Sequence, residues 1–143
     1  MIVIGIIGIL AGIAIPNFIS WRSRQALLKG ADEIQTLIVL ARMAAIRENS
    51  QVVVSISPAD RTYSACVDNN PENGTCDAAE KVLRAGVLSS TDIGLTTNFT
   101  NNRLVIDGRG FPSPVASRTV TLTHPTLGNR VVAVAVTGQA RVQ

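Results

Sequence analysis

Two cysteines are the residues in this 143-residue sequence with the clearest capacity for covalent chemistry. Cys66 and Cys76 bracket a short loop rich in Asn, Asp, Pro and Gly. Such a loop can close a disulfide if the domain lies outside the cytoplasm, and two free thiols are the alternative. With one His and no third Cys, a metal site is disfavoured. We expect no cofactor.

The remaining polar residues offer no catalytic constellation. His124 is the sole histidine and precedes Pro125, which is typical of a turn. Asp32 and Glu33 are adjacent on a predicted helix, so their side chains point in different directions. The Gly108-x-Gly110 spacing is too short for a phosphate-binding fingerprint. The sequence therefore predicts a protein that is not an enzyme.

The basic residues are a weaker signal. The net charge is +3, and no run of basic residues occurs. Arg109, Arg130 and Arg141, together with Arg103 and Arg118, would form a phosphate-binding patch only if the fold gathered them. Scattered solvated charges are the alternative interpretation.

An uncharged segment, residues 1–21, opens the sequence. A helix of this length spans roughly 30 Å, the thickness of a bilayer's hydrocarbon core, and we expect a retained anchor rather than a cleaved signal peptide. Gly8 and Gly12 have the Gly-x-x-x-Gly spacing, and Gly5 extends that face, so a second apolar helix can approach closely. Pro16 is expected to loosen or kink the helix.

Residues 22–48 continue the helix with a different pattern. Apolar residues recur at alternating steps of four and three, which predicts one face packed on a flat apolar surface. These positions are Leu27, Ala31, Ile34, Ile38, Ala41 and Ala45, joined by Leu28, Leu37 and Ala44. The charged residues, including Arg42, lie mostly away from that face. We expect the helix to end at about Glu48, with Asn49 and Ser50 closing it.

Residues 49–143 read as short strands separated by turn formers. The predicted strands cover residues 52–57, 61–67, 81–88, 94–98, 103–106, 118–123, 130–136 and 140–142. The fold class is therefore α+β, with a long N-terminal helix packed on an antiparallel sheet.

Three segments resemble a known family. Residues 7–18, IGILAGIAIPNF, are similar to the N-terminal helix of type IV pilins and type II secretion pseudopilins. Residues 104–112, LVIDGRGFP, and residues 136–142, VTGQARV, resemble two segments of the GspH/FimT branch of minor pilins and pseudopilins. The resemblance implies a subunit that helps to initiate or cap a type IV pilus or a type II secretion pseudopilus.

The sequence departs from the family pattern at two places. The family's basic leader, N-methylated aromatic residue and following Glu are not found, so the residues of leader processing and methylation are left unassigned. FimT-like proteins that take up DNA resemble one another in a Gly-Arg-x-Arg tail, of which only Gly138 and Arg141 match here. DNA capture through the basic residues is therefore the alternative function.

The resemblance also implies partners and a location. The partners would be other pilins or pseudopilins, contacted through the N-terminal helix, and the inner membrane before assembly. A plain single-pass anchored domain is a third possibility. Arg22, Arg24 and Lys29 follow the anchor, and the positive-inside rule alone would place the sheet domain in the cytoplasm. We nevertheless expect a bacterial inner-membrane protein with a periplasmic domain.

Overall fold

The structure is a computed structural model that describes residues 2–69, 73–77 and 79–143, with side chains described from residue 18 onward. It begins with one helix, α1 (Ile2–Glu48). Asn49 follows with φ of 49°, in the left-handed region. The Ser50 amide then bonds back to the Ala45 carbonyl at 3.3 Å, which is the usual closure of a helix by a left-handed residue. The predicted helix end is confirmed.

The apolar face predicted for residues 22–48 is the buried face of α1. Leu27 is the first buried side chain among those described, and the burial continues through Ile34, Ile38 and Ala45. Gly30 lies where a Cβ atom would come within 2.9 Å of Leu122 Cδ2, so the helix approaches the sheet closely at this point. The helix therefore forms one wall of a single hydrophobic core.

In the part of the chain that the structure describes, nine strands, all paired antiparallel, and one short 3-10 helix (Thr100–Asn102) follow α1. A five-stranded sheet has the order β3-β2-β1-β5-β6, and a four-stranded sheet has the order β4-β7-β8-β9. The strands are β1 (Gln51–Ser57), β2 (Thr62–Asp68), β3 (Lys81–Val87), β4 (Gly94–Thr97), β5 (Arg103–Ile106), β6 (Pro112–Ser113), β7 (Arg118–His124), β8 (Gly128–Val134) and β9 (Ala140–Val142). The α+β class is confirmed.

Two details differ from the sequence prediction. The strands divide into two sheets rather than one, because β1 pairs with β2 and β5 whereas β7 pairs with β4 and β8. Strand β6 was not predicted, since two residues are too few to show an alternating pattern.

The predicted anchor residues Gly5, Gly8, Gly12 and Pro16 lie within α1, but their side chains and packing lie outside the described part of the structure. Within the described part, no helical stretch combines the length and the apolar character needed to cross a membrane.

Candidate functional site

Two turns from different sheets meet beside α1. The first follows β5, where the Gly110 amide bonds to the Asp107 carbonyl at 2.8 Å. The second follows β8, where the Gly138 amide bonds to the Ala135 carbonyl at 2.8 Å. Gly110 and Gly138 have φ of 84° and 77°, a region that L-residues with a Cβ atom adopt at a cost.

The two glycines also allow the turns to touch. A Cβ atom at Gly138 would overlap the Gly110 carbonyl oxygen, and one at Gly110 would come within 2.8 Å of Ile46 Cδ1. The segments 104–112 and 136–142, which are well separated in the sequence, therefore converge on the helix. We call the contact of Arg42, Gly110 and Gly138 the Arg42 junction.

Side chains of α1 secure both turns. Arg42 Nε donates to the Gly110 carbonyl at 3.2 Å, and Gln35 Nε2 donates to the Ala140 carbonyl at 3.3 Å. Arg42 and Gln35 are seven residues apart, so they lie on the same flank of the helix. Arg42 is half-buried rather than free in solvent. The seven-residue spacing of Gln35 and Arg42 is a feature of the sequence that could have indicated this flank.

An open groove of about 520 Å³ runs along the junction. Its walls combine apolar helix side chains with the β8–β9 turn: Val39, Arg42, Met43, Ile46 and residues 138–141. Along this part of α1 an apolar stripe is exposed, consisting of Val39, Leu40, Met43 and Ile46 with 42%, 36%, 64% and 52% exposure. We call these four residues the exposed helix stripe.

Asp107 organises the first turn. Its Oδ1 accepts hydrogen bonds from the Phe111 amide at 2.8 Å and the Arg109 amide at 3.1 Å. Partial burial by itself raises the pKa of the carboxyl, but the bonds from Phe111 and Arg109 outweigh that effect and lower the pKa of Asp107 overall. Arg109 Nη2 lies 2.9 Å from Asp107 Oδ2, so this guanidinium already has a carboxylate partner.

Two of the arginines predicted as a patch, Arg130 and Arg141, are not brought together on one face of their sheet. Arg141 pairs with Ala133, whereas Arg130 pairs with Leu122, whose side chain is fully buried. Since side chains alternate along a strand, Arg130 and Arg141 belong to opposite faces of the four-stranded sheet. Arg109 lies in the turn between β5 and β6, where its guanidinium pairs with Asp107. Arg118, however, lines a shallow groove of about 440 Å³ with Arg141.

Cys66 and Cys76 are joined by a disulfide, with their Cα atoms 5.8 Å apart. The loop between them is held by the buried carboxylate of Asp68, which accepts from the amides of Asn73 at 3.2 Å and Gly74 at 2.6 Å. The disulfide thus connects β2 to a loop that is also fixed by hydrogen bonds.

The polar residues considered for catalysis are dispersed. His124 ends β7 and is buried, and its Nδ1 lies 3.3 Å from the Thr126 amide that donates to it. Glu33 accepts from Tyr63 Oη at 3.2 Å, whereas Asp32 is exposed. Among the residues that the structure describes, no group of three acidic, His or Cys side chains is placed to hold a metal ion.

A family model described as the type II transport protein GspH matches residues 30–139. Two fimbrial proteins of Pseudomonas aeruginosa are each 40% identical to the chain over 63 residues, which is 44% of this chain and 40% of each relative. The match thus spans less than half the length of these curated relatives.

Two kinds of solved structure share the fold. The type IV minor pilin FimU of Pseudomonas aeruginosa superposes with a TM-score of 0.68 at 19% identity, covering 86% of this chain and 90% of FimU. The minor pseudopilin EpsH from the Type 2 Secretion System of Vibrio cholerae superposes with a TM-score of 0.63 at 13% identity, covering 82% of this chain and 95% of EpsH. At 19% and 13% sequence identity, these similarities establish the shared fold alone.

Proposed function

The chain belongs to the GspH family of type II transport proteins, and from that premise we propose that it is a minor pilin or pseudopilin subunit. In this role the subunit helps to initiate or cap assembly of a type IV pilus or a type II secretion pseudopilus. Its partners are other pilins or pseudopilins, and its contribution is mechanical rather than catalytic.

The exposed helix stripe is the observation that carries this proposal. One side of α1 packs on the sheets, yet four large apolar side chains within two turns remain 36–64% exposed. A cluster of exposed apolar residues beside a groove is typical of a protein interaction site. Burial against a neighbouring subunit would remove these side chains from water, at roughly 25 cal/mol for each Å² buried.

The uncharged segment 1–21 supports a role as membrane anchor before assembly. In this proposal Gly5, Gly8 and Gly12 face a neighbouring helix, and Pro16 lets the helix adjust as subunits pack. The same apolar surface thus serves first in lipid and then between subunits.

The disulfide between Cys66 and Cys76 supports placing the sheet domain outside the cytoplasm, since disulfides persist in oxidising compartments. The positive-inside rule, applied to Arg22 and Arg24, favours the opposite orientation. We give the disulfide more weight because it depends on the compartment of the domain itself.

Site-specific photocrosslinking tests the assembly proposal. A photoreactive residue at position 43 should crosslink to pilin-like subunits in the host cell, because Met43 is 64% exposed on the helix stripe. The matched control is position 115, where Val115 is 66% exposed but lies outside α1. Equal yields from the two positions, or adducts only with unrelated proteins, would refute the proposed interface.

DNA capture is the second candidate, and the groove shared by Arg118 and Arg141 favours it. A gel-shift titration over a salt series should show binding that weakens steeply with salt. Arg141→Ala should weaken binding, whereas Arg109→Ala should not, because Arg109 already pairs with Asp107. Absence of a shift at low salt, or equal binding by Arg141→Ala and the unmodified protein, would eliminate DNA capture.

A further inference from the structure

Residues 18–24 of α1 project beyond the part of the helix that packs on the sheets. Phe18, Ile19 and Trp21 are 61%, 59% and 56% exposed, and the first buried side chain among those described is Leu27. The rings of Phe18 and Trp21 lie 5.9 Å apart between centroids. The helix thus presents an aromatic pair at the point where it leaves the sheet domain.

Two cations accompany the aromatic pair. Arg22 and Arg24 are exposed, and neither forms an ion pair with any residue that the structure describes. Tryptophan, whose ring carries an N–H group, and long basic side chains are both favoured at the boundary between lipid and water. Arginine also pairs with phosphate through two parallel hydrogen bonds.

The position of Trp21 along the helix matches this boundary. The stretch without charged side chains ends at Trp21, and the first charged residue, Arg22, follows directly. A helix passes from the hydrocarbon core to the headgroups where its uncharged stretch gives way to Trp and basic residues. The sequence therefore places this boundary at the turn of helix that holds Trp21 and Arg22.

The loop between β3 and β4 lies beside the same turn of helix. Residues 89–92 and the helix residues Phe18, Arg22 and Ser23 line one groove of about 550 Å³. Arg61 Nη1 donates to the Thr91 carbonyl at 2.7 Å, which holds the loop against the domain. The groove offers Ser and Thr hydroxyl groups and the Arg22 guanidinium, together with the carboxylate of Asp92.

We propose that residues 18–24 and 89–92 form a collar that seats the subunit on the phospholipid surface. In the collar Phe18 and Trp21 lie at the top of the acyl chains, and Arg22 and Arg24 bind headgroup phosphates. The loop rests on the headgroups and limits how deeply the domain can approach. This inference rests on the proposed anchoring role of residues 1–21.

Trp21 is the sole tryptophan, so its fluorescence reports the depth of the collar directly. The full chain is reconstituted into vesicles of phosphatidylcholine with phosphatidylglycerol. Separate vesicle samples contain lipids brominated either close to the headgroup or near the ends of the acyl chains. We expect the protein to float with the vesicles and its fluorescence to be quenched mainly by the lipids brominated near the headgroup.

The alternative outcomes separate the collar from the anchor. Flotation with stronger quenching by the deep bromines, or flotation without quenching, refutes the collar and leaves membrane anchoring intact. Failure to float refutes the anchoring role and the collar with it.

A charge variant tests the role of the two arginines. The double variant Arg22→Gln/Arg24→Gln should lower the ratio of shallow to deep quenching, because the headgroup contacts that hold Trp21 at the surface are lost. The matched control is Arg47→Gln/Arg130→Gln, which removes the same charge from two exposed arginines outside the collar. An unchanged ratio in the first variant, or an equal fall in both, refutes phosphate binding by Arg22 and Arg24.

Discussion

Replacing Gly138 with Ala tests the Arg42 junction. A Cβ atom at this position has two costs. A residue with a Cβ atom in the left-handed region loses about 1 kcal/mol. In addition, the new methyl group overlaps the Gly110 carbonyl oxygen, so the turns must separate and Arg42 Nε loses its 3.2 Å bond to that oxygen. A hydrogen bond to a charged group contributes about 2 kcal/mol, which brings the expected loss of unfolding free energy to about 3 kcal/mol.

Gly128→Ala is the matched control. Gly128 also has a positive φ, 84°, but a Cβ atom there would have no neighbour within 4 Å among the described residues, apart from those adjacent to it in the chain. This variant should therefore lose only the conformational contribution of about 1 kcal/mol. The difference between the two variants measures the close approach of the two turns, separately from backbone strain.

Denaturant unfolding followed by circular dichroism gives the comparison, with the midpoint and slope fitted for each variant. We expect Gly138→Ala to unfold at a clearly lower denaturant concentration than Gly128→Ala, with the same slope. If both variants lose the same free energy, the turns do not need their contact, and the reasoning about the junction is wrong.

Three further predictions concern other stabilising contacts. Replacing both Cys66 and Cys76 with Ala should lower the unfolding free energy by about 2.5 kcal/mol, the value expected when a disulfide closes a loop of this length. Two free thiols counted on the unreduced protein would contradict the disulfide. Asp107→Asn should destabilise the protein at neutral pH by about 1 kcal/mol, since the amide accepts hydrogen bonds more weakly than the carboxylate. Folding lowers the pKa of Asp107, so the stability contributed by the carboxylate is present above the unfolded pKa of about 4 and is lost as pH falls through the lower folded pKa. The unfolding free energies of the two proteins, measured across a pH series, should therefore become equal in acid. Tyr63→Phe removes the 3.2 Å bond to Glu33 and should lose about 1 kcal/mol in the same assay, and no loss would mean that water replaces the phenol equally well.

Local patterns predicted the elements well. The helix ends at Glu48 because Asn49 adopts a left-handed conformation there, and Asn is common at that position. Strands β5 and β9 have the predicted bounds because turn formers flank their short apolar runs. By contrast, β8 begins two residues earlier than predicted, because Gly128 pairs with His124 and so extends the hairpin of β7 and β8.

Local patterns did not predict contacts between residues that are distant in the sequence. Arg42 looked like a solvent-exposed charge, because its acceptor, the Gly110 carbonyl, lies 68 residues away in the sequence. Arg130 and Arg141 were expected in one patch only if the fold gathered them, and the face on which each lies depends on the register between β7, β8 and β9. Such registers are set by tertiary pairing, so no pattern within a single strand reveals them.

The central place of β1 in its sheet has a consequence for the order of folding. Val53 pairs with Cys66 on the adjacent strand, but also with Val105, about fifty residues further along the chain. Bringing such distant segments together costs about 3.5 kcal/mol of chain entropy before any contact is gained. The hairpin of β1 and β2 should therefore form early. Until β5 pairs with it, the outer edge of β1 has unpaired backbone hydrogen-bonding groups. During that interval the nascent domain is most exposed to aggregation through this edge.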